Sequence, residues 1–114
     1  MNFELSEEMR MFKDAIRNFA EKEIAPLINE AEEKESFPIQ LFSRMGAMGY
    51  LCVGYPSEYG GGGLGKTGEC IAMEALGRIC LGIASGIMVQ SGIATSAIYR
   101  HGNDEQKQKY LVPA

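Results

Sequence analysis

The sequence predicts an all-α fold, an orthogonal or up-down bundle of about five helices with one irregular glycine-rich connector. Three observations predict it. Apolar residues recur in steps of mostly three and four from Leu5 to Ala31, the spacing of one helix face. Residues that start and stop helices punctuate the chain between its apolar runs. The 21 residues from Ile79 to Tyr99 carry no charge, which suits a helix packed inside a bundle.

The first helix takes its inner face from Leu5, Met9, Phe12, Ile16, Phe19 and further apolar residues up to Ala31. Ser6 is placed to cap it, and Glu7 and Glu8 sit in its first turn, where the helix dipole favours negative charge. Pro26 interrupts the pattern without changing its phase, so a kink or short break is expected there, not a new direction. Pro38 suits the first turn of a second helix, where its missing N–H has no acceptor to lose, and that helix should run to about Met48. The segment "YLCVGYPSEYGGGGLG" holds too many glycines and a proline to be regular throughout. A third helix is expected from about Lys66, with Ile71, Ala75, Leu76 and Ile79 facing inward. The uncharged span after Arg78 makes a fourth helix, expected to be buried on most sides and stopped at Gly102. Asn103 followed three residues later by Gln106 resembles a capping box that opens a short last helix, which Pro113 ends.

Composition narrows the class. A chain of 114 residues with 46% hydrophobic and 23% charged residues has the makeup of one soluble domain with one core. Its net charge of -4 and 11 scattered basic residues argue against nucleic acid, which binds clustered Lys and Arg. Cys52, Cys70 and Cys80 are odd in number and widely spaced, so neither a disulfide framework nor a metal site is expected. A reducing, cytoplasmic setting follows as an expectation. The opening "MNFELSEEMRMF" is acidic where a secretory signal is basic and then apolar, so no export is expected.

Three features imitate other functions. Gly60-x-x-x-x-Gly65-Lys66-Thr67 matches the letters of a phosphate-binding loop. That loop needs a buried strand before it and a later strand ending in a magnesium-holding Asp. Pro56, Ser57 and Glu58 stand where the strand should be, and no such later strand follows, so a tight loop leading into a helix is expected. The uncharged span reaches membrane-crossing length, with Gly82-x-x-x-Gly86 like a helix-dimer contact. Ser85, Gln90, Ser91, Thr95 and Ser96 make it too polar for an unassisted span, so no membrane span is expected. His101, the one histidine, falls at a helix end where a dipole favours its positive ring. Glu74 is the carboxylate expected to be partly buried, in a salt bridge.

The residues taken together resemble a known family. "SEEMRMFKDAIRNFAEKEIAP" is similar to the opening helix of the acyl-CoA dehydrogenases, which ends in Glu-Ile-Ala-Pro. "FPIQLFSRMGAMGYLCVGYPSEYGGGGL" resembles that family's Phe-Pro, Gly-x-x-Gly and Pro-x-Glu-Tyr-Gly-Gly-x-Gly-Leu landmarks. "YRHGNDEQKQKYLVP" resembles the stretch that closes its amino-terminal helical domain. The resemblance runs in order through essentially all of residues 1–114, without insertions. Gly65, Lys66 and Thr67 depart from the family's usual acidic or aromatic residues at that point.

The resemblance implies one domain of a larger enzyme. In that family a middle β domain and a carboxy-terminal helical domain follow, and they hold the catalytic glutamate and most contacts to FAD. The glutamate removes the α-proton of an acyl-CoA while the β-hydride passes to flavin N5, giving a trans-2-enoyl-CoA. No catalytic residue and no metal ligand is therefore expected here, FAD contacts within residues 1–114 are unassigned, and this segment alone is expected to be inactive. What it implies instead is a wall of the acyl-chain pocket, carried over by position to Ser85, Gly86, Val89, Gln90 and Ile93. Their spacing serves core packing at Val89 and Ile93 equally well. Ser85 and Gln90 fit better, because a buried polar group needs a partner. Gly82 and Gly86 hint at a wide pocket. The family further implies an acyl-CoA substrate, electron-transferring flavoprotein as acceptor and a homotetramer. An acyl-CoA oxidase or flavin monooxygenase would share this domain, and a free-standing helical interaction module is the alternative from another class.

Overall fold

A computed structural model describes residues 3–114. Among the described residues the regular structure is wholly helical. Helix α1 spans residues 7–34: an α-helix over Glu7–Phe19, a π turn over Ala20–Ile24 and an α-helix over Ala25–Lys34. Helix α2 is Gln40–Ala47, α3 is Gly65–Ile79 and α4 is Leu81–His101. Helix α5 covers residues 104–111, and a single 3₁₀ turn, Ser57–Tyr59, sits in the connector between α2 and α3.

The local signals act as expected. The Met9 N–H donates to Ser6 Oγ at 3.2 Å, which caps α1. Pro26 has no N–H to give to the carbonyl four residues before it, and the winding widens just ahead, where the Ala25 N–H bonds to the Ala20 carbonyl. The helix continues without a gap to Lys34, and Ala20 and Ile24 of the π turn still face the core. Pro38 lies two residues before α2, and its carbonyl accepts from the Leu41 N–H at 3.0 Å. At α5 the capping box is complete, with Gln106 N–H to Asn103 Oδ1 at 2.8 Å and Asn103 N–H to Gln106 Oε1 at 3.0 Å. Only Cys80, in extended conformation, separates α3 from α4.

The core gathers Ile16, Phe19 and Ile24 of α1, Leu41 and Met45 of α2, Ile71, Ala72, Ala75 and Leu76 of α3, and Ile83, Ala84 and Ile87 of α4, closed by Leu51 and Val53 of the connector. Helix α3 is central, packing against both α1 and α4. Arg44 of α2 reaches Glu23 in the π turn of α1 at 2.6 Å, an exposed pair that orients more than it stabilises.

One expectation is overturned. Helix α4 is not buried on most sides: 28% of its apolar length is buried, and Leu81 and Ile93 are 74% and 67% exposed. Its inner side packs on α3 and its last turns on α5, while Leu81, Ser85, Val89 and Ile93 stand exposed. It is long and apolar enough to cross a membrane by length and composition, and its buried hydroxyls, Ser91 and Thr95, have partners within the chain.

Candidate functional site

The glycine run forms a compact knot of backbone. Gly60, Gly61, Gly62, Gly63 and Leu64 donate their N–H groups to the carbonyls of Ser57, Pro56, Cys52, Tyr55 and Val53, at 2.8–3.2 Å. A phosphate at this stretch of the loop would compete with acceptors that these five donors already have. Lys66, the residue that would reach a phosphate, is 80% exposed and pairs with Glu69 at 2.8 Å. Glu69, not Glu74, is therefore the partly buried carboxylate of α3. Glu74 is exposed; it lies two residues beyond buried Ala72, and two residues turn a helix by about 200°. His101 is exposed at the end of α4.

The five residues carried over from the resemblance fall in three places. Ser85, Val89 and Ile93, four residues apart, are exposed on the open side of α4, with Val89 44% exposed. Leu81 and Met88 are exposed on the same helix, so the chain presents an apolar helix face with one hydroxyl on it. Gly86 is half-buried beneath Phe37: a Cβ added there would lie 2.9 Å from the ring's Cε2. The small residue thus admits an aromatic ring of this chain and does not widen a pocket. Phe37 in turn stacks on Phe42, their centres 5.3 Å apart.

Gln90 faces elsewhere. It lines a cleft of about 450 Å³ with Phe42, Ser43, Cys52, Tyr55 and Tyr59. Tyr55 is buried, stacks on Tyr99 with ring centres 4.5 Å apart, and its hydroxyl lies 3.0 Å from Thr95 Oγ1. Lys107 stands 5.4 Å over Tyr59 and 5.7 Å over Tyr99, closing the aromatic group with a cation.

Burial raises the Cys52 thiol and the Tyr55 phenol above their ordinary pKa values of 9.0 and 10.0. Both are acids held in the neutral form, so Cys52 is not an activated nucleophile. The sign for stability follows. A group whose folded pKa is raised contributes fully below its unfolded pKa and loses that contribution as pH rises through the folded one. Urea midpoints should therefore hold up to about pH 8 and fall as pH climbs past 9 to 10, and Tyr55→Phe should flatten the upper part of that fall.

Sequence reasoning missed Phe37, Tyr55 and Thr95. Thr95 had a signal, a polar residue in an uncharged helix; the other two had none. The N–H groups of Gly60 to Gly63 are engaged, and among the described residues no buried side-chain polar atom lacks a partner.

Comparison with known proteins places this architecture. The family described as acyl-CoA dehydrogenase, N-terminal domain, matches residues 6–114. A probable acyl-CoA dehydrogenase of Bacillus subtilis, YngJ, is 35% identical over 113 residues, which are 99% of this chain and 30% of that protein. An acryloyl-CoA reductase (NADH) of Anaerotignum propionicum is 38% identical over 97% of this chain and 28% of its own length. A chain in the solved electron transferring flavoprotein structure of Acidaminococcus fermentans, from work on flavin-based electron bifurcation, superposes with a TM-score of 0.92 at 35% identity, covering 99% of this chain and 30% of that one. The chain spans under a third of the length of these relatives.

Proposed function

The chain belongs to the acyl-CoA dehydrogenase family, as its amino-terminal helical domain, and from that premise we propose that it forms one wall of the acyl-chain pocket in a longer FAD-dependent enzyme. That enzyme would oxidise an acyl-CoA thioester to a trans-2-enoyl-CoA. The observation that carries the proposal is the open apolar side of α4, where Leu81, Val89 and Ile93 stand 74%, 44% and 67% exposed around Ser85. Covering one such side chain is worth about 1.5–3 kcal/mol, so a face of this kind favours an apolar neighbour. A fatty-acyl chain enclosed by the remaining polypeptide supplies one.

Most flavin contacts and the catalytic carboxylate come, in this proposal, from polypeptide beyond these residues, supported by the chain's spanning under a third of its relatives' length. Electron-transferring flavoprotein is proposed as the acceptor, supported by the Acidaminococcus match. A homotetramer and a reducing, cytoplasmic setting complete the proposal, the latter supported by three unpaired cysteines.

The test uses the longer protein. Val89→Phe and Ile93→Phe should shorten the preferred acyl chain, changing the ratio of kcat/KM between short and long acyl-CoA by about tenfold or more. Residues 1–114 alone should show neither flavin absorbance nor turnover. An active longer enzyme whose chain-length preference ignores both substitutions contradicts the wall; flavin and turnover in the short chain contradict the division of labour. A second direction of catalysis is favoured by the 38% identity to an acryloyl-CoA reductase. NADH-dependent reduction of an enoyl-CoA by the same preparation measures it, and the wall serves either direction.

A further inference from the structure

The buried polar groups of α4 lie on its inner side, and one of them is unusual. Ser91 Oγ donates to the Ile87 carbonyl at 3.1 Å, a bond any helical serine can make. Thr95 Oγ1 lies 2.7 Å from the Gln90 carbonyl, five residues back, and 3.3 Å from that of Ser91. A threonine in a regular α-helix reaches back three or four residues. The longer reach coincides with the π turn that α4 makes over Val89–Ala94.

Hydrogen-bond chemistry fixes the direction of this chain. A carbonyl only accepts, so the one hydroxyl hydrogen of Thr95 goes to the backbone. The Tyr55 phenol at 3.0 Å is then the donor to Thr95 Oγ1. Burial keeps that phenol protonated, and the stack on Tyr99 fixes its ring. A bond chain thus runs from the connector, through Thr95, to the carbonyl of Gln90.

The π turn matters because each residue turns an α-helix by about 100°. Winding Val89–Ala94 as a π turn changes the direction in which those side chains leave the helix. In the observed phase Val89 and Ile93 are exposed, while Gln90 lines the cleft.

We propose that Thr95 and Tyr55 are positioning residues for the acyl-chain wall: their hydrogen-bond chain holds the π turn that sets where Val89, Gln90 and Ile93 stand. This rests on the assignment of α4 as that wall. They act through the backbone of α4.

The experiment compares variants of the longer flavoprotein at equal flavin content, reading the ratio of kcat/KM for a short and a long straight-chain acyl-CoA. Thr95→Val keeps the shape and removes the hydroxyl, and it should move that ratio by about tenfold. Thr95→Ser keeps the hydroxyl and should return the ratio to the wild-type value. Tyr55→Phe keeps the ring stack and should move the ratio in the same direction as Thr95→Val, which gives a reading even if Thr95→Val does not accumulate as soluble protein. Lowered stability with an unchanged ratio in both Tyr55→Phe and Thr95→Val overturns the positioning role. If Val89→Phe still shifts the ratio in that case, the wall itself stands. If Val89→Phe leaves it unchanged too, the wall falls and the positioning role with it.

Discussion

Leu76→Ala is expected to destabilise the protein by about 3–4 kcal/mol. Leu76 is fully buried on α3, the helix that packs on both α1 and α4. Removing its side chain leaves a hole between three helices, each held by further contacts, so collapse around it is limited. Backbone propensity does not contribute to the loss, since alanine favours the helix at least as well as leucine. A domain of this size has a total stability of only about 5–15 kcal/mol. Urea denaturation should show the midpoint falling sharply with an unchanged slope. As a contrast, Ile39→Ala removes an apolar side chain that is 75% exposed and should change stability by less than about 0.5 kcal/mol. Similar losses at both positions would contradict the placement of the core.

Gly61→Ala should cost on the order of 3 kcal/mol, and for a different reason. A Cβ at Gly61 would overlap the Tyr55 carbonyl oxygen and stand 2.7 Å from that of Cys52. Those two carbonyls accept from Gly63 N–H at 2.8 Å and Gly62 N–H at 3.2 Å. The connector opens only by losing both bonds, and opening it also moves Tyr55 away from Thr95. Gly60→Ala isolates the other cost of replacing glycine. Gly60 has φ +86° with open space where its Cβ would go, so alanine there meets left-handed backbone strain alone, about 1–2 kcal/mol. Urea titration of the two variants separates crowding from dihedral strain. Equal losses, or a smaller loss at Gly61, would contradict the knot.

Much of the fold was legible because its signals are local. Ser6, Pro26, Asn103 and Gln106 each act on backbone within five residues, and the structure contains each effect. The inner faces of α1 and α3 follow from spacing alone. Long-range facts were not legible. An absence of charge distinguishes α4 from the surface helices but does not say which side is covered, so its open side is not encoded in that signal. The meeting of Phe37 with Gly86 and of Tyr55 with Thr95 joins residues about 40–50 positions apart, and no periodicity encodes such pairs. The π turn of α4 has no local marker comparable to Pro26 in α1.

The false phosphate loop shows the same division. Its letters are local, while its chemistry depends on context: among the described residues no strand delivers the loop, Gly60 to Leu64 donate within the connector, and Lys66 pairs with Glu69. Glycine there permits backbone to approach backbone, since a Cβ at Gly61 or Gly62 would crowd the carbonyls of Tyr55 or Val53.

The open side of α4 as the lining of an acyl pocket is the claim from which the functional account proceeds. A crystal structure of the longer protein with a bound acyl-CoA tests it most directly. The account predicts acyl carbons within about 4 Å of Ser85, Val89 or Ile93, the distance of apolar contact. An acyl chain lodged elsewhere, with this side of α4 packed against protein or facing water, would contradict it.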